Sequence, residues 1–137
     1  MRKLLAVMMA TLTLLAPGIA AASGTAPMEI EGSERIGLDR ALTLWEDEVA
    51  FLDVRPAENF EAGRVPGAVN LHAKTALTEE SIGAVVAKNE PVVVYCNGVK
   101  CGLSAEAIPM LVSWGYTTIY YMREGYPGWE QAGYPVE

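Results

Sequence analysis

Only two cysteines, one histidine and two phenylalanines occur in the 137 residues of this chain, and 10 basic residues stand against 17 acidic ones. The scarcity of cysteine and histidine argues against a bound metal. Structural zinc sites draw their ligands from short paired spacings, which Cys96, Cys101 and His72 do not form. A lone histidine near a strand end is ordinarily surface or satisfied core, so no metal and no cofactor are expected. The shortage of lysine and arginine leaves a net charge of −7 and no basic run. Such a surface repels phosphate backbones, which excludes nucleic acid as a partner. Long apolar runs are missing too: the stretch from Leu4 to Ala16 is shorter than the roughly 20 residues a helix needs to cross a bilayer. What is present is 51% apolar against 20% charged residues, the balance of a folded chain, in a length that supports one core.

Arg2 and Lys3, the apolar run, and the small residues Ala20-Ala21-Ala22 read together as a secretory signal peptide over residues 1–22. Its removal would leave 115 of the 137 residues with 8 basic against 17 acidic groups, a net charge of −9. A periplasmic or secreted protein, unattached to membrane after cleavage, is expected. In an oxidising compartment two cysteines ordinarily make one structural disulfide. Residues 23–34, with Gly24, Pro27 and Gly32, are aperiodic and read as a flexible lead, and residues 35–137 read as the domain.

Within the domain, strands and helices alternate. A short strand starts near Ile36, and Leu38, Ala41, Leu42 and Trp45 form one helical stripe. Val49 to Val54 is a buried strand stopped by Pro56, Glu58 to Ala62 makes a helical turn, and Ala68 to Leu71 suits another short strand. Thr78 caps a helix predicted over 79–88, and Pro91 to Tyr95, β-branched and apolar on both faces, reads as a central parallel strand. A third helix is predicted over 104–114, with Pro109 inside it and Gly115 after it, then a strand over 117–122 and a short helix over 129–132. This alternation implies a parallel sheet covered on both faces.

In such a sheet the site lies beyond the carboxyl ends of the strands. Asp53, Arg55 and Cys96 fall there. A thiol just before a helix start meets the positive end of that helix and unpaired N–H groups, both of which favour thiolate. Cys96 is therefore the candidate nucleophile, with Asn97, Gly98, Val99, Lys100 and Gly102 as an anion-holding loop. Lys100 would add positive charge at the rim, against the plainer reading of a solvated lysine. Tyr95, Tyr116, Tyr120, Tyr121, Tyr126 and Trp129 are assigned to packing first.

Asp53-x-Arg55, Glu58-x-Phe60, the run Gly63 to Asn70, Val92-Val93-Val94-Tyr95-Cys96, Trp114-Gly115-Tyr116 and Gly125-x-x-x-Trp129 together resemble the rhodanese homology domain, from about Ile36 to Glu137. The resemblance implies an α/β fold of three layers, with a central, mostly parallel sheet flanked by helices. It also implies a sulfurtransferase cycle. Cys96 would take sulfane sulfur from a thiosulfate-like donor, hold it as a persulfide against the loop amides, and pass it to cyanide or to an acceptor thiol, small or on a protein. Asp53 and Arg55 would brace the loop, and a plain structural ion pair fits them better than direct catalysis.

The loop departs from the family. Many active rhodaneses read Cys-x-x-Gly-x-Arg-Ser, whereas Cys96 to Ser104 spends two more residues, and Leu103 falls where the arginine would stand. Related phosphatases and arsenate reductases need that arginine to clamp a larger oxyanion, and neither Gly102 nor Leu103 supplies it. Arg64 replaces the usual histidine, a change at the rim. Cys101, five residues after Cys96, leaves three readings open. It is a resolving thiol for the persulfide, half of a thiol-disulfide redox pair, or a structural staple of small entropic effect, the reactive roles being favoured. A non-catalytic binding module of the same fold is the further alternative.

Overall fold

The computed structural model describes residues 25–137, so the signal peptide read over 1–22 lies outside the described residues. In chain order the elements are β1 (Glu34–Arg35), α1 (Leu38–Glu46), β2 (Ala50–Asp53), α2 (Ala57–Ala62), β3 (Val69–Asn70), α3 (Glu79–Gly83), β4 (Val92–Tyr95), α4 (Leu103–Ser113), β5 (Ile119–Met122) and α5 (Gly125–Gln131). The strands form one sheet in the order β1-β5-β4-β2-β3, and each neighbouring pair is parallel. Both edges are strands of two residues, which leaves little unpaired backbone to recruit another chain.

All four residues of β4 are buried, as expected of β-branched residues with a strand on either side and helices above and below. Their side chains alternate. Val92 and Val94 enter a core with Ile82, Val86, Ile108 and Leu111, whereas Val93 and Tyr95 enter another with Ala41, Leu44, Phe51 and Trp129. Continuing that period by one residue puts Cys96 into the first core, beneath α4. Each fully buried valine, leucine or isoleucine contributes on the order of 1.5–3 kcal/mol, so the strand that carries the cysteine is among the best-anchored segments.

The helix signals hold with adjusted limits. Thr78 and Ser81 cap α3 reciprocally, but the helix ends at Gly83 rather than near Lys88. Beyond the glycine the chain tightens, with Val85 N–H donating to the Ile82 carbonyl three residues back. Gly115 and Tyr116 N–H groups close α4 on the carbonyls of Val112 and Leu111, a Schellman motif. Pro109 lies inside α4 without ending it, because it is exposed and water can serve the carbonyl it frees. α5 starts four residues before the predicted 129–132, since Pro127 is tolerated in a first turn. β1 lies just before Ile36, whose N–H extends the ladder to the Tyr121 carbonyl.

The segment read as a flexible lead is pinned to the domain from residue 25 on, which corrects that reading for the described residues. Ala26 is 3% exposed, and Ile30 belongs to the core under α4. Ala26 N–H donates to the Val99 carbonyl (2.6 Å), and Arg123 Nη2 and Nε donate to the Ala26 carbonyl (3.0 and 3.2 Å). The Tyr121 hydroxyl donates to the Pro27 carbonyl (3.0 Å). The lead is thus a strap without regular structure, held by backbone bonds that leave no periodic pattern in the sequence.

Candidate functional site

β2 and β4 run side by side with Asp53 opposite Tyr95, so Arg55 and Cys96 emerge together at the carboxyl end of the sheet. Asp53 is fully buried and Arg55 is 2% exposed. The Arg55 side chain grips the carboxylate through Nε (3.0 and 3.1 Å) and Nη2 (2.7 Å), and its backbone N–H adds a bond of 3.0 Å. The remaining donors reach the Gly63 carbonyl (2.6 Å) and the side-chain oxygen of Asn97 (3.3 Å). Asn70 fixes the same corner by donating to the carbonyls of Asp53 and Arg55 (3.1 and 2.8 Å). The guanidinium also lies over the rings of Tyr126 and Tyr95, 4.7 and 5.6 Å from their centroids. Burial alone would lower the pKa of Arg55, but the bonds and charge of Asp53 outweigh it and the net direction is upward. Burial, and then the Asp53 charge, push the Tyr95 phenol far up, so it stays protonated. Asp53 and Arg55 thus form a buried ion pair from which one hydrogen bond, Arg55 to Asn97, extends to the cysteine loop.

In that loop Cys96 and Cys101 are joined as a disulfide, with their Cα atoms 6.4 Å apart. Cys96 is 3% exposed and Cys101 half-buried. The Cys101 N–H donates to the Gly98 carbonyl (3.0 Å), and the Tyr126 N–H donates to the Cys96 carbonyl (2.9 Å). Gly125 allows the second contact. It sits at φ +63°, and a Cβ there would collide with the Cys96 carbonyl and the Gly98 nitrogen. Gly102 is the N-cap of α4 and supplies no side-chain cap, so the positive end of the helix faces the loop.

The other residues singled out from sequence divide. Asn97 takes the bond from Arg55, Gly98 and Gly102 shape the turn, and Lys100 and Val99 are exposed. Lys100 shares a cleft of about 350 Å³ with Val99, Glu124, Pro127 and Gln131, beside the loop. One carboxylate oxygen of Glu124 is buried there with no hydrogen-bond partner among the described residues. Arg64 pairs with Glu137 (3.4 Å) and packs on Phe60, a clamp on the end of the chain. His72 pairs through Nδ1 with the Thr75 hydroxyl (3.0 Å). Among the described residues no group of His, Cys, Asp or Glu is arranged to hold a metal. Asn70 and Gly125 enter the sequence reading only as motif residues without a role, and Arg123 and Ala26 not at all, because each acts through backbone atoms of residues distant in sequence.

Comparison with known proteins turns this geometry into an assignment. Residues 39–132 match the pattern of the rhodanese-like domain. The chain belongs to the rhodanese-like domain family. Its parallel sheet with helices on both faces is the rhodanese-like fold: a rhodanese-like domain of an Anabaena protein, solved in solution, superposes with a TM-score of 0.66 at 19% identity, covering 77% of this chain and 79% of that one. The thiosulfate sulfurtransferase GlpE of Actinobacillus succinogenes is 35% identical over an alignment of 104 positions that covers 72% of this rhodanese-like chain and 86% of that protein. An HTH-type transcriptional regulator of Mycobacterium tuberculosis is 29% identical over 115 residues, 82% of this chain, and the chain spans 49% of its length. The sulfurtransferase-named relatives support a function of sulfurtransferase type.

Proposed function

We propose that this protein is an exported, persulfide-forming sulfurtransferase with Cys96 as nucleophile and Cys101 as resolving thiol. One observation carries the reading: the family's cysteine position, at the end of β4, is within bonding reach of a second thiol in its own loop. In the reduced protein the Cys96 thiolate attacks the outer sulfur of thiosulfate or another sulfane donor. The donor's S–S bond breaks, sulfite or its equivalent leaves, and the sulfur remains as a persulfide. An acceptor thiol or cyanide takes that sulfur, or Cys101 attacks Cys96 Sγ, expels hydrosulfide and closes the disulfide. The bridged form is then the spent state, and two external thiols supply the electrons that reopen it.

Without the family's arginine, an anionic donor meets, among the described residues, Lys100, the loop amides and the α4 terminus, with the Glu124 carboxylate in the same cleft opposing it. A donor with less charge than thiosulfate, such as an organic polysulfide or a protein persulfide, suits this loop better. The test is the intact mass of the reduced protein after exposure to thiosulfate and to polysulfide. A gain of one sulfur atom on wild type, lost in Cys96→Ser and longer-lived in Cys101→Ser, is expected. No gain from either donor would overturn the proposal.

The disulfide itself favours a second reading, a thiol-disulfide redox protein that carries no sulfane sulfur. In that case the pair exchanges readily with external dithiols, and neither donor adds mass.

A further inference from the structure

The two sulfurs of the bridge are not equivalent towards the outside. Thiol-disulfide exchange is a displacement in which the incoming thiolate approaches one sulfur along the S–S axis, opposite the sulfur that leaves, so access to each sulfur decides which is attacked. Cys96 is 3% exposed and packed in the core beneath α4 with Val94, Leu52 and Ala107. Its surroundings are fixed on the other side by Tyr126 N–H on its carbonyl and by Arg55 on the neighbouring Asn97. Cys101 is half-buried, and both its neighbours, Lys100 and Gly102, are exposed. Lys100 also places the loop's positive charge next to Cys101, on a protein whose net charge of −7 otherwise repels anionic thiolates.

We infer that the external thiol which reopens the bridge attacks Sγ of Cys101 and expels Cys96 as thiolate. This rests on the cysteine pair cycling as proposed above, but names the sulfur at which the cycle is reset. In the first step an external thiolate bonds to Cys101 Sγ, the Cys96–Cys101 bond breaks, and its electron pair stays on Cys96. In the second step another external thiolate attacks the external sulfur of the mixed disulfide and releases Cys101. The two external thiols leave as a disulfide, and both cysteines are reduced. The nucleophile of the transfer reaction is therefore regenerated first, while Cys101 is still covalently occupied and cannot close back on it without expelling the external thiol. Cys101 is thus a catalytic residue of the resetting step with a role distinct from resolution.

Trypsin makes the test direct, because cleavage after Lys88, Lys100 and Arg123 puts Cys96 on residues 89–100 and Cys101 on residues 101–123. The oxidised wild-type protein is exposed briefly to a thiol, quenched with acid, blocked with N-ethylmaleimide and mapped by mass. One arm uses cysteine as the small monothiol. The other uses a Cys-x-x-Cys redox protein whose second cysteine is replaced by serine, so that its mixed disulfide persists, and the relative rates of the two arms tell a small-molecule source from a protein one. The expected result in both arms is adduct on residues 101–123 in about tenfold excess, with the maleimide on residues 89–100. Adduct mainly on Cys96, or an even division, would overturn the inference. The outcome is independent of whether donors load sulfur onto Cys96, so failure here and failure of the transfer reading are separate results.

Discussion

Asp53→Asn isolates what the buried pair contributes, because it keeps the shape of the side chain and removes its charge. In the folded protein Arg55 is 2% exposed and its guanidinium is matched by one carboxylate, through three side-chain contacts of 2.7 to 3.1 Å. With asparagine there, one of those contacts faces an amide donor and the guanidinium charge stays buried without a counter-ion. Breaking a buried pair on one side costs about 3–5 kcal/mol. Against the 5–15 kcal/mol typical of a whole domain, that is roughly a fifth or more of the total stability. Urea unfolding followed by tryptophan fluorescence should show the midpoint fall by that amount divided by m, at unchanged m-value. Removing both charges together, in Asp53→Leu with Arg55→Met, should cost well below the sum of the single changes, since no charge is left stranded. The same Asp53→Asn protein should lose its disulfide to dithiothreitol several-fold faster, because Arg55 no longer holds Asn97 in place. A loss below about 1 kcal/mol for Asp53→Asn would refute the argument that this corner is held by charge.

Gly125→Ala should destabilise by about 2 kcal/mol or more, since alanine is strained at φ +63° and its Cβ meets the Cys96 carbonyl; a thermal melt and the rate of disulfide reduction together check it. Arg123→Gln cuts the strap loose, so limited proteolysis should cleave residues 25–33 several-fold faster while the melting temperature moves by only a few degrees; an unchanged digestion pattern contradicts the strap's role. Tyr95, held protonated by burial and Asp53, contributes stability that is fully present below its ordinary pKa of 10.0 and is lost as pH rises above it, because only the unfolded chain then releases the proton. Tyr95→Phe should therefore flatten the loss of stability above pH 10 by up to about 1.4 kcal/mol per unit. At neutral pH it should cost about 1 kcal/mol, as the Val65 N–H loses its acceptor, and urea titrations across the alkaline range check both parts.

What could be read from sequence was whatever repeats or punctuates locally. The run Pro91 to Tyr95 announces a central strand because a strand buried on both faces has no polar positions to interrupt it. Thr78 marks a helix start, and Asp53-x-Arg55 marks a strand end, because each bond closes within three residues. The contacts that build the site are of the other kind. Arg55 reaches Asn97 across 42 positions and Arg123 reaches Ala26 across 97; Asn97 is legible as a loop residue after Cys96, but nothing local marks its bond to Arg55, and Ala26 carries no pattern at all. The five-residue separation of the cysteines permits a bridge without requiring one. Gly98, held against the backbone of residue 124 and bonded to the Cys101 N–H, is what folds the loop tightly enough to close it.

The Ala26–Val99 bond joins the front of the described chain to the middle of the reactive loop. A purification tag or carrier attached just ahead of Thr25 therefore sits one residue from a bond to Val99, which lies between the two cysteines. Thiol reactivity measured on such a fusion belongs to tag and loop jointly, and only protein with a free, native start reports the chemistry of the loop alone.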